Sequence, residues 1–206
     1  MKIKRWVLLR GLTRSRFHWL GFDQYFKKRL QVESVDCPEV PGSGYLHQEK
    51  SLVNIDAVVI RLREQISRIE EPIGLLGVSM GGMLAARWAE MFPQEIAKLV
   101  IVNSSSDLSP SSERLLPRNY WPLFKSILTS SSEEKERFVM TSTSNEPAKW
   151  QQRLPELVAF SEEHPIRFSN FIAQLRMCGQ VQFGKKPVKN ILILSAEQDH
   201  FVSLEC

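Results

Sequence analysis

The first hundred residues alternate short apolar runs with longer stretches whose apolar residues recur at helical spacing, and this pattern restricts the fold more than any other feature of the chain. Arg5 to Leu9 predicts a strand and Phe17 to Leu30 a helix. Val32 to Asp36 predicts a second strand, and Pro41-Gly42-Ser43-Gly44 a loop. Leu52 to Ile69 predicts an amphipathic helix with Leu52, Ile55, Val59, Leu62 and Ile66 on one face. Ile73 to Val78, Gly82 to Met91 and Lys98 to Val102 continue as strand, helix and strand. Strands joined by helices of this length form parallel sheets, because a parallel partner is reached only by a crossover, and the crossover is right-handed. The fold class expected is therefore α/β, a doubly wound and mostly parallel sheet with helices on both faces.

From Asp107 to Lys186 the alternation stops and only helical patterns remain. Ser131 with Glu134 fits a capping box. Asn145-Glu146-Pro147 fits another helix start, while Pro155 and Pro165 break the later helices. A strand pattern returns once, at Asn190 to Leu194, and ends in Ser195-Ala196-Glu197-Gln198-Asp199. This divides the chain into a core (1–106), a helical cap or lid inserted into the sheet (107–186) and a last core strand with its turn (187–206). The plainer alternative is that the inserted helices only add core.

Composition excludes little but excludes it clearly. With 43% hydrophobic and 24% charged residues the chain has enough apolar side chains for a core, which argues against disorder. The net charge of +4 is spread over scattered groups, Lys2, Lys4 and Arg5, Lys27 to Arg29, Lys185 and Lys186, so no basic block points to nucleic acid. Cys37, Cys178 and Cys206 are odd in number and lack metal-ligand spacing, which predicts no metal, no disulfide framework and a reducing, cytoplasmic setting. The apolar run Trp6 to Leu9 is too short for a signal peptide or a membrane span.

The segment that carries chemistry is Gly77-Val78-Ser79-Met80-Gly81-Gly82, at the passage from the third strand to a helix. A Gly-x-Ser-x-Gly pattern alone is weak, and a glycine-rich turn with a capping serine is its plain reading. Strand, sharp turn and helix in that order are the setting of a nucleophile elbow. There the serine is held in a strained conformation, and neighbours two residues away lie too close to the strand and helix for side chains, which suits Gly77 and Gly81. The first amides of the following helix favour a developing oxyanion. No Gly-Lys-Ser/Thr follows, so a phosphate loop does not fit, and G-x-G-x-x-G is not met.

These motifs together resemble the α/β-hydrolase fold superfamily over nearly the whole chain. Leu8-Leu9-Arg10-Gly11-Leu12 is similar to the segment where the family has a His-Gly pair after a strand, with Arg10 in place of the histidine. The Asp36 to Gly44 stretch is similar to the family's D-x-P-G-x-G loop, and Ala196 to Val202 resembles the turn that carries the acid. The resemblance implies a serine hydrolase cleaving a small ester, thioester or related acyl substrate, without a cofactor. Ser79 would be the nucleophile, the Leu12 and Met80 amides the oxyanion hole and Asp199 the acid, with Asp107 a second choice. A lyase or C–C bond hydrolase would keep the same elbow and lid.

The resemblance also implies a histidine base on a loop after one more helix and strand. Only seven residues, His200 to Cys206, follow Asp199, too few for a crossover of about 10–12 residues and a strand of about 5. The final helix and strand are thus expected to be missing and the catalytic set incomplete, in a fragment of a longer protein or a truncated product. His18, beyond the oxyanion loop, His47, His164 and His200 are the substitutes present. A non-catalytic relative used as a binding or interaction module is the alternative, and an exposed sheet edge would invite pairing with a second copy.

Overall fold

The computed structural model describes residues 3–129, 131–183, 188 and 190–205. Lys2, Ser130, Lys185, Lys186 and Cys206, and the expected boundary between the helical segment and the last core strand, lie outside the described residues.

Among the described residues, five parallel strands form one sheet: β1 (Arg5–Leu9), β2 (Ser34–Asp36), β3 (Ile73–Val78), β4 (Ile96–Val102) and β5 (Ile191–Leu194), in the order β2-β1-β3-β4-β5. The predicted α/β class holds, and β1 and β3 have the predicted bounds. Alternate residues of a strand point to opposite faces, and here they enter two different cores. Val7, Leu9 and Leu75 pack with α2 (Ile55–Glu64) and α3 (Met80–Met91), through Val58, Val59, Leu62, Leu84 and Trp88. Trp6, Leu8 and Leu76 pack on the other side with Trp19 and Val32, and with Phe26 of α1 (Phe22–Leu30).

Two predicted helices are shorter in the fold. The Phe17–Leu30 pattern splits into a 3-10 turn over Arg16–Trp19 and α1, because Leu20 (φ 51°) and Gly21 (φ 87°) turn left-handed between them. The Leu52–Ile69 pattern is trimmed to Ile55–Glu64. Asn54 caps it with a side-chain oxygen that accepts the Ala57 N–H at 2.9 Å, and Leu52 stays on the surface.

Between β4 and β5 the described chain is helical: α4 (Ser111–Arg114), α5 (Tyr120–Thr129), α6 (Ser132–Thr143), α7 (Pro147–Gln151), α8 (Leu154–Glu163) and α9 (Phe168–Gln180). The capping box at Ser131 and Glu134 forms in both directions, at 3.2 and 2.7 Å. Pro147 and Pro155 sit in the first turns of α7 and α8, where a missing N–H costs nothing. β5 lies at the edge of the sheet with Leu192, Ile193 and Leu194 51%, 66% and 46% exposed.

Candidate active site

The end of β3 and the start of α3 enclose a single residue, Ser79, whose φ of 55° and ψ of −124° lie outside the regions that L-residues favour. Its backbone is held from three sides. The Ser79 N–H donates to Val102 O at 2.9 Å, while its carbonyl accepts from the Gly82 N–H at 2.8 Å and the Ser104 hydroxyl at 2.7 Å. The tight turn leaves no space beside the two expected glycines. A Cβ on Gly77 would lie 2.1 Å from Gly81 O, and one on Gly81 would lie 2.3 Å from Leu9 O. Gly11, after β1, approaches the serine itself: a Cβ there would be 3.2 Å from Ser79 Cβ and 3.6 Å from its Oγ. The Oγ forms no hydrogen bond to a described residue.

Gly11 begins a turn closed by the Arg14 N–H on Gly11 O at 3.1 Å, with Thr13 at φ 61°. The Leu12 amide inside that turn bonds to no described residue, nor does the Met80 amide, one of the donors that the start of α3 leaves unpaired. Gln174 of α9, wholly buried, fixes the turn from above. Its Oε1 accepts the Thr13 N–H at 3.0 Å, and its Nε2 donates to Ser43 Oγ at 2.8 Å and Ser51 Oγ at 3.1 Å. Asn170, one turn earlier, accepts the Ser51 N–H at 3.0 Å and donates to Glu49 O at 2.9 Å. Arg14 makes a buried ion pair of 2.6 Å with Glu136 of α6, whose other oxygen accepts from Ser161 at 2.6 Å. The helices after β4 are thus bound by polar groups to the loops beside Ser79. Sequence reasoning missed Gln174, Asn170 and Glu136, because a buried polar residue on an amphipathic helix resembles a surface one.

Ser79, Leu12, Met80 and Asp199 all line one cavity of about 660 Å³. The helices between β4 and β5 supply much of its apolar wall, including Leu123, Val139, Leu157 and Leu175. Asp199 lies on the turn after β5, and its Oδ1 accepts the Phe201 and Val202 N–H groups at 2.7 and 3.0 Å. Asp107 does not line this cavity, and its Oδ1 accepts the Phe183 N–H at 3.2 Å.

The histidines divide into two groups. His200 and His18 line the cavity. His47 and His164 do not; they stand 5.3 Å apart in an aromatic cluster with Tyr45 and Phe160. His18 Nδ1 accepts the Ser15 N–H at 3.1 Å, which assigns the ring proton to Nε2, a buried atom with no partner. Burial, then the charges of Arg14 and Arg10, hold His18 down to about 2, so the ring is neutral. It presents a donor, whereas a base for Ser79 needs an acceptor. Among the described residues no hydrogen bond joins Ser79 or Asp199 to a histidine. Nor, among them, do three or more His, Cys, Asp or Glu side chains gather to hold a metal, and no helix is long and apolar enough to cross a membrane.

A family model described as alpha/beta hydrolase fold matches residues 7–130. The monoacylglycerol lipase abhd6-B of Xenopus laevis is 26% identical over 113 residues, 53% of this chain and 33% of that protein. The human monoacylglycerol lipase ABHD6 is 26% identical over 99 residues, 47% of this chain and 29% of that protein. The chain therefore matches only about a third of the length of these relatives. A membrane phospholipase A, a bacterial virulence factor, superposes with a TM-score of 0.69 at 18% identity, covering 98% of this chain and 66% of that one. At such identity the likeness is one of fold.

Proposed function

Because the chain belongs to the alpha/beta hydrolase fold family, we propose that it is a serine hydrolase acting on a small ester or thioester. Ser79 is the nucleophile. The observation that carries this reading is the backbone of Ser79, held at φ 55° by three hydrogen bonds while its hydroxyl stays unbonded at a cavity wall. Positions of this kind store strain of about 1–3 kcal/mol and gather at functional sites.

Ser79 Oγ attacks the acyl carbonyl and its proton passes to a base. The carbonyl oxygen becomes an oxyanion, met by the Leu12 and Met80 amides at the positive end of α3. Gln174 acts through the loop, holding it by the Thr13 N–H beside the unbonded Leu12 amide. As the oxyanion collapses, the ester C–O or thioester C–S bond breaks and the alcohol or thiol leaves with that proton; water then attacks the acyl-enzyme, releasing the acid and restoring the Ser79 hydroxyl. Asp199 is the orienting acid, with Oδ1 fixed by two amides so that the carboxylate keeps one direction. The helices from α4 to α9 act as the lid that excludes water from the acyl group.

The lack of a histidine bonded to Ser79 among the described residues favours a second reading, a relative that binds acyl compounds without turning them over. Labelling with a fluorophosphonate probe separates the two. Covalent labelling of the wild type that disappears in Ser79→Ala supports the nucleophile. A folded protein that stays unlabelled leaves only the binding reading.

A further inference from the structure

Two charged groups in the cavity wall have no use in the chemistry above. Arg10 precedes Gly11, the residue that approaches Ser79, and lines the same cavity. Its guanidinium carbon lies 4.7 Å from the centre of the Trp19 ring, and the group forms no hydrogen bond or ion pair among the described residues. Nε is closed off from solvent with no acceptor, whereas the two terminal nitrogens are not closed off in this way. Arg114, from α4, lines the cavity as well. It donates to the Cys178 carbonyl at 2.5 Å and has no carboxylate partner among the described residues.

The third arginine of the wall shows the contrast. Arg14 is neutralised by Glu136 at 2.6 Å. The acidic member of the wall, Asp199, spends one oxygen on two backbone amides. Burial and the charge of Arg14 pull Arg10 down to about 10, which still leaves it a cation at neutral pH. A half-buried cation without a counter-ion is costly; the Trp19 face offsets part of that cost, and an anionic ligand group would offset the rest. Leu12, Leu123 and Val139 line the same space with apolar surface.

The geometry points to a substrate whose acyl chain ends in a negatively charged group, a carboxylate or phosphate bound at Arg10, with Arg114 adding to the positive field. This rests on the reading of Ser79 as the residue that receives the acyl carbonyl. It narrows the substrate class from small esters in general to anionic ones.

Two esters of equal acyl length test it: mono-4-nitrophenyl glutarate, which carries the charge, and 4-nitrophenyl pentanoate, which does not. With the wild-type chain the anionic ester has a kcat/KM about tenfold higher, expressed mainly in KM, and added salt narrows the difference. Arg10→Met removes the preference and Arg10→Lys restores part of it. Equal kcat/KM for the two esters in the wild type overturns the inference, as does a preference that survives Arg10→Met. If Arg10→Met fails to fold, the wild-type ratio and its salt dependence decide alone. Binding of the glutarate ester to Ser79→Ala, followed by tryptophan fluorescence, separates this inference from the hydrolase reading. Selective binding of the anionic ester without turnover of either ester by the wild type counts against the hydrolase, not the anion site. Binding of both esters alike counts against the anion site.

Discussion

Ser79 holds its conformation against the preference of its own side chain, and the cost can be measured. Glycine adopts a positive φ freely, so Ser79→Gly should raise the stability of the fold by about 1–2 kcal/mol in urea denaturation, while fluorophosphonate labelling is lost. A variant less stable than the wild type would deny that the position is strained. A second residue-scale prediction concerns Glu39, 4% exposed, whose Oε1 accepts the Arg16 N–H at 3.1 Å while Oε2 has no partner. Burial pushes its carboxyl up to about 7, although the Arg16 amide and charge pull the other way. Between about pH 4.5 and 7 the folded chain therefore keeps a proton that the unfolded chain has released. Stability that is fully present below pH 4.5 is lost as the pH rises through 7, on the order of 3 kcal/mol in all. Glu39→Gln keeps an acceptor for Arg16 but cannot titrate. Its urea midpoints at pH 5 and pH 8 should lie closer together than those of the wild type.

At the scale of elements, the sequence was most legible where periodicity and chemistry agree. β1 and β3 have their predicted bounds, and the Gly77-Val78-Ser79-Met80-Gly81 stretch falls at the passage from β3 to α3. Helix ends were less legible, because Asn54 and the Leu20–Gly21 turn act through single residues that periodicity averages over. The contacts that shape the site were not legible at all. Gln174 meets Thr13 across 161 residues and Glu136 meets Arg14 across 122, and no local pattern announces such a pair. Their energetics can still be stated. Removing one member of a buried ion pair leaves the other uncompensated, so Arg14→Met or Glu136→Leu alone should destabilise the fold by roughly 3–5 kcal/mol. The double variant Arg14→Met, Glu136→Leu should recover most of that loss. Additive effects in this cycle, read by chemical denaturation, would mean that the two side chains do not depend on each other.

For the molecule as a whole, the sheet has one edge that is apolar on the surface. Leu192, Ile193 and Leu194 of β5 are each about half exposed or more, on a strand paired only with β4 among the described elements. Such an edge offers both backbone hydrogen bonds and apolar contact to another chain. The chain should associate with rising concentration in sedimentation velocity, and Ile193→Lys, which puts a charge on that edge, should shift it toward the monomer. A wild type that stays monomeric at all concentrations would show that this edge is blunted by some other means.

The clamp between α9 and the loops beside Ser79 also sets an order in time. Thr13 and Ser51 are made early, and the side chains that fix them, Gln174 and Asn170, are made 161 and 119 positions later. A chain emerging from the ribosome can pair its first four strands long before the loop around Leu12 has its final shape, since contacts so distant in sequence close last. The reverse holds on heating. Whatever loosens α9 first releases this loop while the sheet still stands, so the cavity should lose its shape before the fold loses its core.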